Sequence, residues 1–165
     1  MANKTVFFDR DGTLNVDMHY LYKPEEFVWI EGATEAIKYA NEQGFKVIVI
    51  TNQSGVARGY YTEADVHKLQ DWMNEQLKAY GAHIDAFYYC PHHTEGIVSE
   101  YTKKCECRKP GTKLVEDACR DFDVDKKASV LIGDADRDVE CAEKAGIRGV
   151  KYEGGSLLEL VKREI

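Results

Sequence analysis

The chain has 165 residues, a length that suits one domain with a full hydrophobic core. Hydrophobic residues make up 44% and charged residues 31% of it, which is typical of a globular protein. The net charge of −7 offers no basic surface for non-specific binding to nucleic acid. Because the sequence shows neither a membrane-spanning apolar stretch nor a signal-peptide pattern, we expect a cytoplasmic protein.

Short apolar β-rich segments alternate with amphipathic helices along the chain. Strands are predicted at 6–8, 45–51, 87–89, 129–134 and 148–152, and helices at 33–42, 63–79, 112–122 and 136–145. This alternation predicts an α/β fold, with a parallel sheet covered by helices on both faces. Thr62, followed three residues later by Asp65, predicts a capping box at the start of the second helix. We find no internal repeat or linker, so we expect a single domain over 1–165.

The first strand leads into VFFDRDGTLN, residues 6–15, where two aspartates stand one residue apart. If the strand stays extended, Asp9 and Asp11 leave the backbone on the same side. Two facing carboxylates repel each other unless a cation or a proton is shared between them. Gly12 then lets the backbone turn and approach a ligand closely. The segment therefore predicts a site that needs a cation and a ligand from elsewhere.

Three further segments carry polar side chains, two of them at predicted strand ends and the third before a predicted helix start. They are Thr51, Asn52, Ser54 and Arg58 in VITNQSGVARG (49–59), Arg108 and Lys109 in CRKPG (107–111), and Asp134 and Asp138 in IGDADRD (132–138). Parallel α/β folds bind ligands at the carboxyl ends of their strands, so we expect these groups to meet. A carboxylate nucleophile, a second acid, a hydroxyl, a lysine and a divalent cation are the groups that phosphoryl transfer needs.

The segment 89–110, YCPHHTEGIVSEYTKKCECRKP, contains four residues of metal-ligand type: Cys90, His92, Cys105 and Cys107. Three thiolates and one imidazole form a closed tetrahedral zinc set, which is structural rather than catalytic. His93 is the competing imidazole, and the sequence leaves that choice open. We therefore predict a zinc-binding loop at about 90–107. Cys119 and Cys141 lie in helical patterns and are predicted to be core thiols.

The chain resembles the haloacid dehalogenase superfamily of aspartyl-phosphate phosphatases in the order of four motifs: DxDGT, Thr51, Lys109 and GDxxxD. The resemblance implies a Rossmann-like fold, with Asp9 as the nucleophile and Asp11 as the general acid and base. It also implies that Mg²⁺ lies between the carboxylates of Asp9 and Asp134 and the backbone carbonyl of Asp11. Thr51 and Lys109 would hold the phosphoryl group. Asp138 would orient Lys109.

The sequence also resembles the D-glycero-D-manno-heptose-1,7-bisphosphate 7-phosphatases in the segments FFDRDGTLN, TNQSGVARG, YCPHH and CxCRKP, the last two of which belong to the cysteine loop. The histidinol-phosphate phosphatases are close relatives of that family. The long span between His92 and Cys105 is similar to that of the heptose enzymes. The resemblance implies a phosphatase that lacks a large cap domain. Its implied reaction removes the 7-phosphate of a sugar bisphosphate. We expect the protein to be a monomer. Arg108 would face the distal, anomeric phosphate. The implied substrate contacts are Asp17, His19, Tyr20, Asn52, Gln53, Ser54, Arg58, Arg108 and Lys109.

Two positions depart from the pattern of these relatives. Ala135 stands where many have a lysine, which removes one cation from the site, and Met18-His19 stands where they often have His-Gly. A histidinol-phosphate phosphatase or a broader phosphomonoesterase is the alternative within the same class.

Two alternatives belong to other classes. A phospho-accepting receiver domain would need an aspartate at the end of its third strand, which here ends in Tyr89-Cys90. The second is a nucleic-acid-binding protein with a structural zinc ion, which the net negative charge of the chain disfavours. Its stacking platforms would be tyrosines, but we expect Tyr60 and Tyr61 on a loop surface and Tyr88 and Tyr89 partly in the core.

Overall fold

The computed structural model describes residues 2–165 as a five-stranded parallel sheet with five α-helices. The strands are β1 (Thr5–Phe8), β2 (Lys46–Asn52), β3 (Ala86–Cys90), β4 (Val130–Gly133) and β5 (Arg148–Lys151). The helices are α1 (Ala33–Glu42), α2 (Glu63–Lys78), α3 (Lys113–Phe122), α4 (Asp136–Lys144) and α5 (Leu157–Glu164). The predicted elements are confirmed, with bounds that differ by at most one residue. Helix α5 was not predicted.

The strand order β3-β2-β1-β4-β5 places β1 at the centre of the sheet. From β1 the chain adds β2 and β3 on one side and β4 and β5 on the other. The direction of winding therefore reverses between β1 and β4, where open α/β sheets form their ligand crevice. Asp9 follows β1 and Asp134 follows β4, so both aspartates lie at this crevice.

Successive residues of β1 face opposite sides of the sheet and belong to two separate cores. Val6 and Phe8 pack in a cluster with residues of α1, α2 and α5. Phe7 packs with residues of α3 and α4 on the other face. Because all three are fully buried, β1 is covered on both faces, as predicted.

The capping box of α2 is confirmed. The Thr62 hydroxyl accepts a hydrogen bond from the Asp65 backbone N–H (3.2 Å), and the Asp65 carboxylate accepts one from the Thr62 N–H (2.9 Å). Within residues 2–165, none of the helices combines the length and apolarity that crossing a bilayer requires.

Replacing Thr62 by alanine removes one half of this box. We expect Thr62→Ala to lower the free energy of unfolding by about 1 kcal/mol in urea titrations, since a helix N–H loses its partner. Thr112→Ala is the matched control, because Thr112 precedes α3 and its side chain makes no capping hydrogen bond to the described residues. Equal losses in the two variants would contradict the assignment.

Candidate active site

A cavity of about 230 Å³ opens at the carboxyl ends of β1, β2 and β4. Tyr61 and Arg137 line it although neither was predicted to do so. Of the predicted substrate contacts, Arg58 and Lys109 are not among the lining residues. The predicted residues that line it are Asp9, Asp11, Asp17, His19, Tyr20, Thr51, Asn52, Gln53, Ser54, Arg108 and Asp134.

The ammonium group of Lys109 is buried beneath this cavity and joins several elements. It donates to Asp9 Oδ1 at 2.8 Å and to the Ile50 carbonyl of β2 at 3.0 Å, and it lies 2.6 Å from Asp138 Oδ1. Asp138 also accepts a hydrogen bond from the Ala135 N–H, so its carboxylate is fixed at the start of α4. Burial alone would lower the pKa of Lys109, but Asp9 and Asp138 keep it above its ordinary value. Lys109 is therefore a charged donor beside Asp9.

The carboxylates around Lys109 carry more negative charge than one lysine can offset. Burial raises the pKa of Asp9 to about 7; the charge of Lys109 opposes this shift and that of Asp138 adds to it. Oxygens of Asp9, Asp134 and Asp138 lie within 4.8 Å of one another, a spacing that could hold a metal ion. Lys109 engages both Asp9 and Asp138, and the family resemblance implies that Asp9 and Asp134 hold the metal ion. Their hard oxygen atoms suit Mg²⁺, so these residues fit the predicted ion.

Gly12 allows the backbone to pass directly against Asp134. It has a φ of +88°, and a Cβ atom placed on it would lie 2.2 Å from Asp134 Oδ2. A side chain here would therefore displace a carboxylate of the candidate metal site. This close approach explains the glycine of the DxDGT motif.

The two aspartates of the motif have different partners. Strand β1 ends at Phe8, so the extended backbone assumed in the prediction does not reach Asp11. Asp9 is held by Lys109, whereas Asp11 is held by the guanidinium of Arg10 at 3.1 Å. The condition of an extended strand is therefore not met at Asp11, and both carboxylates line the cavity.

Arg10 is a buried charge whose importance the sequence analysis missed. Only 1% of it is exposed, and its guanidinium also donates to the Leu21 carbonyl at 3.0 Å. Asp11 accepts a further hydrogen bond from Asn15 Nδ2 at 3.0 Å. A buried arginine paired with the acid thus fixes the Asp11 carboxylate and ties it to the loop that carries Asp17, His19 and Tyr20.

Gln53 connects Asp11 with the end of β2. Its amide nitrogen donates to Thr51 Oγ1 at 2.9 Å and to Asp11 Oδ2 at 3.3 Å, and its oxygen accepts from the Tyr61 hydroxyl at 2.5 Å. Tyr61 is buried, so the expectation of a surface position for it was wrong, whereas Tyr60 is exposed. These contacts join residues up to 42 positions apart, so local sequence patterns could not predict them.

Asn52 presents a donor to the cavity. Its Oδ1 accepts the backbone N–H of Lys109 at 2.9 Å, which fixes the side chain. Its Nδ2 is buried and has no hydrogen-bond partner within residues 2–165. An amide donor without a partner suits an anionic ligand in the cavity.

Arg108 lies between two cavities. A larger cavity of about 830 Å³ on its other side lacks Asp9, Asp11 and Asp134, so the chemistry belongs to the smaller one. Burial lowers the pKa of Arg108, and the charges of Arg137 and Arg58 lower it further. Its Nη1 is buried without a partner in the part of the chain that the structure describes.

Cys90, His92, Cys105 and Cys107 come together as predicted. Their four ligand atoms lie within 4.8 Å of one another, with Cys105 Sγ 3.1 Å from Cys90 Sγ and 3.0 Å from Cys107 Sγ. Donation from the Cys90 thiol is the main cause that lowers the pKa of Cys107 to about 5. The cysteines described here form no disulfide. The set therefore fits a tetrahedral metal ion such as Zn²⁺.

His93 lies outside the cluster. Its Nδ1 accepts the Glu95 N–H at 3.0 Å, and its Nε2 lies 3.4 Å from Arg58 Nη2. Tertiary contacts thus select His92 over His93. The two remaining thiols lie in the α3–α4 core as predicted, Cys141 fully buried and Cys119 partly buried.

The loop between the metal-type residues is also held by Glu63 of α2. Its carboxylate accepts hydrogen bonds from the hydroxyls of Tyr89 (2.5 Å) and Tyr101 (2.6 Å). Tyr89 lies on β3 beside Cys90, and Tyr101 lies within the loop. Glu63 therefore fastens the loop to the helical layer independently of a metal ion.

Comparison with known proteins agrees with these observations. The family model described as polynucleotide kinase 3 phosphatase matches residues 4–147. A D-glycero-beta-D-manno-heptose-1,7-bisphosphate 7-phosphatase of Rhodopseudomonas palustris is 44% identical over 95% of this chain and 87% of its own length. The corresponding alpha enzyme of Photorhabdus laumondii is 41% identical over 87% of this chain and 79% of its own length.

A solved structure shows the same fold with its ligands. D,D-heptose 1,7-bisphosphate phosphatase from B. bronchiseptica, complexed with magnesium and phosphate, has a TM-score of 0.84 and 29% identity. The match covers 98% of this chain and 97% of that one. Fold and site together define an enzyme class, the phosphatases of the haloacid dehalogenase superfamily. Within that class, the chain belongs to the family of these heptose-bisphosphate phosphatases.

A metal ion in the cysteine cluster should contribute to folding stability. We expect about one zinc per chain in protein purified without chelator, and we expect Cys105→Ser to lower zinc content and melting temperature together. Cys119→Ser is the control, because its thiol lies outside the cluster. Full zinc occupancy in Cys105→Ser would contradict this prediction.

Proposed function

We propose that this protein is a Mg²⁺-dependent phosphatase that removes the 7-phosphate of D-glycero-D-manno-heptose 1,7-bisphosphate through an aspartyl-phosphate intermediate. The observation that carries the proposal is that Asp9, Asp11 and Asp134 share one cavity with Arg108. The carboxylates suit chemistry at one phosphate, and the guanidinium suits recognition of another. The names of the relatives support the choice of sugar.

The reaction divides between Asp9 and Asp11. The Asp9 carboxylate attacks phosphorus, and the sugar oxygen leaves with a proton supplied by Asp11. Asp11 then takes a proton from water, which attacks the acyl phosphate to release inorganic phosphate and restore Asp9. Mg²⁺, held by Asp9, Asp134 and the Asp11 carbonyl, would reduce the repulsion between the carboxylate and the phosphate.

Positioning of the phosphoryl group falls to donors around Asp9. The Lys109 ammonium lies 2.8 Å from Asp9 Oδ1 and is held there by Asp138, so it is already oriented before substrate binds. The Thr51 hydroxyl and the free Nδ2 of Asn52 stand on the neighbouring strand end. Such fixed donors stabilise the charge on the phosphoryl oxygens in the transition state.

We assign the cysteine cluster a structural zinc ion. Four protein ligands close the coordination shell, which leaves no position for substrate. The loop it holds ends at Arg108, which follows Cys107 directly. Ordering this loop would therefore place the Arg108 guanidinium over the cavity.

The proposed function is tested by comparing kcat/KM among substrates. Both anomers of the heptose 1,7-bisphosphate are expected to exceed histidinol phosphate, nitrophenyl phosphate and a 3′-phosphorylated oligonucleotide. Asp9→Asn should abolish turnover of every substrate, because a neutral amide neither attacks phosphorus nor holds Mg²⁺ well. A preference for histidinol phosphate, or Asp9→Asn activity within tenfold of wild type, would contradict the proposal.

Asp11→Asn separates the role of the acid from that of the nucleophile. We expect a loss of about 10²–10⁴-fold on the sugar phosphate, whose alkoxide needs a proton to leave. Nitrophenyl phosphate has a stable leaving group, so the first step with it should be much less affected in single-turnover measurements. Equal losses on both esters in that measurement would contradict the assignment of Asp11.

A further inference from the structure

Arg137 is an unpaired cation at the mouth of the candidate active site. It is the second residue of α4, it is exposed, and it lines the same cavity as Arg108. Both of its acidic neighbours have other partners: Asp136 binds Lys151 at 3.0 Å, and Asp138 binds Lys109. Arg137 itself makes no ion pair or side-chain hydrogen bond within residues 2–165.

The surroundings of Arg108 and Arg137 favour an anion between them. The charges of Arg137 and Arg58 both act on Arg108, so like charges face one another at this end of the cavity. Arg58 lies within 3.8 Å of Glu95, but no such carboxylate contacts Arg108 or Arg137 within the described chain. Arg108 Nη1 is moreover buried and lacks a partner among those residues. A buried donor without a partner costs stability unless a ligand compensates it.

The lining of the cavity combines the carboxylates of Asp9, Asp11, Asp17 and Asp134 with two guanidinium groups. Asp9 and Asp134 lie at the end where β1 and β4 meet, beside Lys109. The arginines of the lining are Arg108 and Arg137, and residue 135 between Asp134 and α4 is an uncharged alanine. A phosphate that is not being cleaved would find its charge complement in these two guanidinium groups.

We propose that Arg137 and Arg108 together clamp the phosphate of the substrate that is not cleaved, with Arg137 as a specificity-determining residue. This inference rests on the proposed function, because it assumes a bisphosphate substrate. One guanidinium group comes from the end of the zinc-binding loop and the other from α4. Together they can donate hydrogen bonds to several oxygens of the phosphate that is not cleaved.

The test compares two substrates that differ only in the second phosphate. For wild type, Arg137→Ala, Arg108→Ala and Arg137→Lys, kcat/KM is measured with the heptose 1,7-bisphosphate and with the heptose 7-phosphate. We expect Arg137→Ala to reduce the preference for the bisphosphate by about tenfold or more, as for a lost hydrogen bond to a charged group, while the 7-phosphate changes less than twofold. Arg137→Lys should keep part of the preference.

A binding measurement and a control variant complete the test. Calorimetric binding of the product, heptose 1-phosphate, should weaken in Arg137→Ala and Arg108→Ala. It should stay unchanged in Arg120→Ala, which removes an exposed arginine of α3 outside the cavity. Equal losses on both substrates, or a bisphosphate preference that survives Arg137→Ala, would contradict the proposed role of Arg137 and leave the proposed function intact. A wild-type enzyme without preference for the bisphosphate would overturn the proposed function as well.

Discussion

The site depends on one buried ion cluster, the ammonium of Lys109 between the carboxylates of Asp9 and Asp138. All three side chains are at least 94% buried, so their charges have little water to stabilise them. A buried charge is tolerated only when it is paired and hydrogen-bonded, and removing one partner leaves the others uncompensated. The cluster joins the end of β1, the carbonyl of Ile50 on β2, the start of α4 and the segment after the metal loop. Any change that moves one of these elements also moves Asp9, which lines the cavity.

The sheet topology explains why these elements meet. Reversal of the winding between β1 and β4 leaves a crevice at their carboxyl ends, and Asp9 and Asp134 are the residues that follow those ends. Gly12 then brings the chain after β1 against Asp134, closer than any side chain would permit. The candidate metal site at this end of the cavity is thus a consequence of strand order and one positive φ angle.

The opposite end of the cavity has a different origin. The loop between β3 and α3 contains only one short 3₁₀ turn, at Ser99–Tyr101, so it gains its order from the Cys/His cluster and from the hydrogen bonds of Glu63 to Tyr89 and Tyr101. Such a loop could not otherwise offset the conformational entropy lost on ordering. Holding it positions Arg108 near Arg137, the second residue of α4. The proposed reactive aspartates therefore follow strand ends, and the proposed recognition groups lie on this loop and on α4.

The sequence alone determined the α/β class, most strand and helix positions, the aspartate, threonine, lysine and aspartate motifs, and the four metal-type residues. These features are local, because they depend on apolar periodicity and on residue types at strand ends. The tertiary structure decided what joins distant segments: the choice of His92 over His93, the buried pair of Arg10 and Asp11, the burial of Tyr61 against Gln53, and the place of Arg137 in the cavity. Helix α5 was missed although it packs on α1. Short-range pattern carries no record of contacts formed only when the sheet assembles, so it did not show the partners of a side chain such as Asp11.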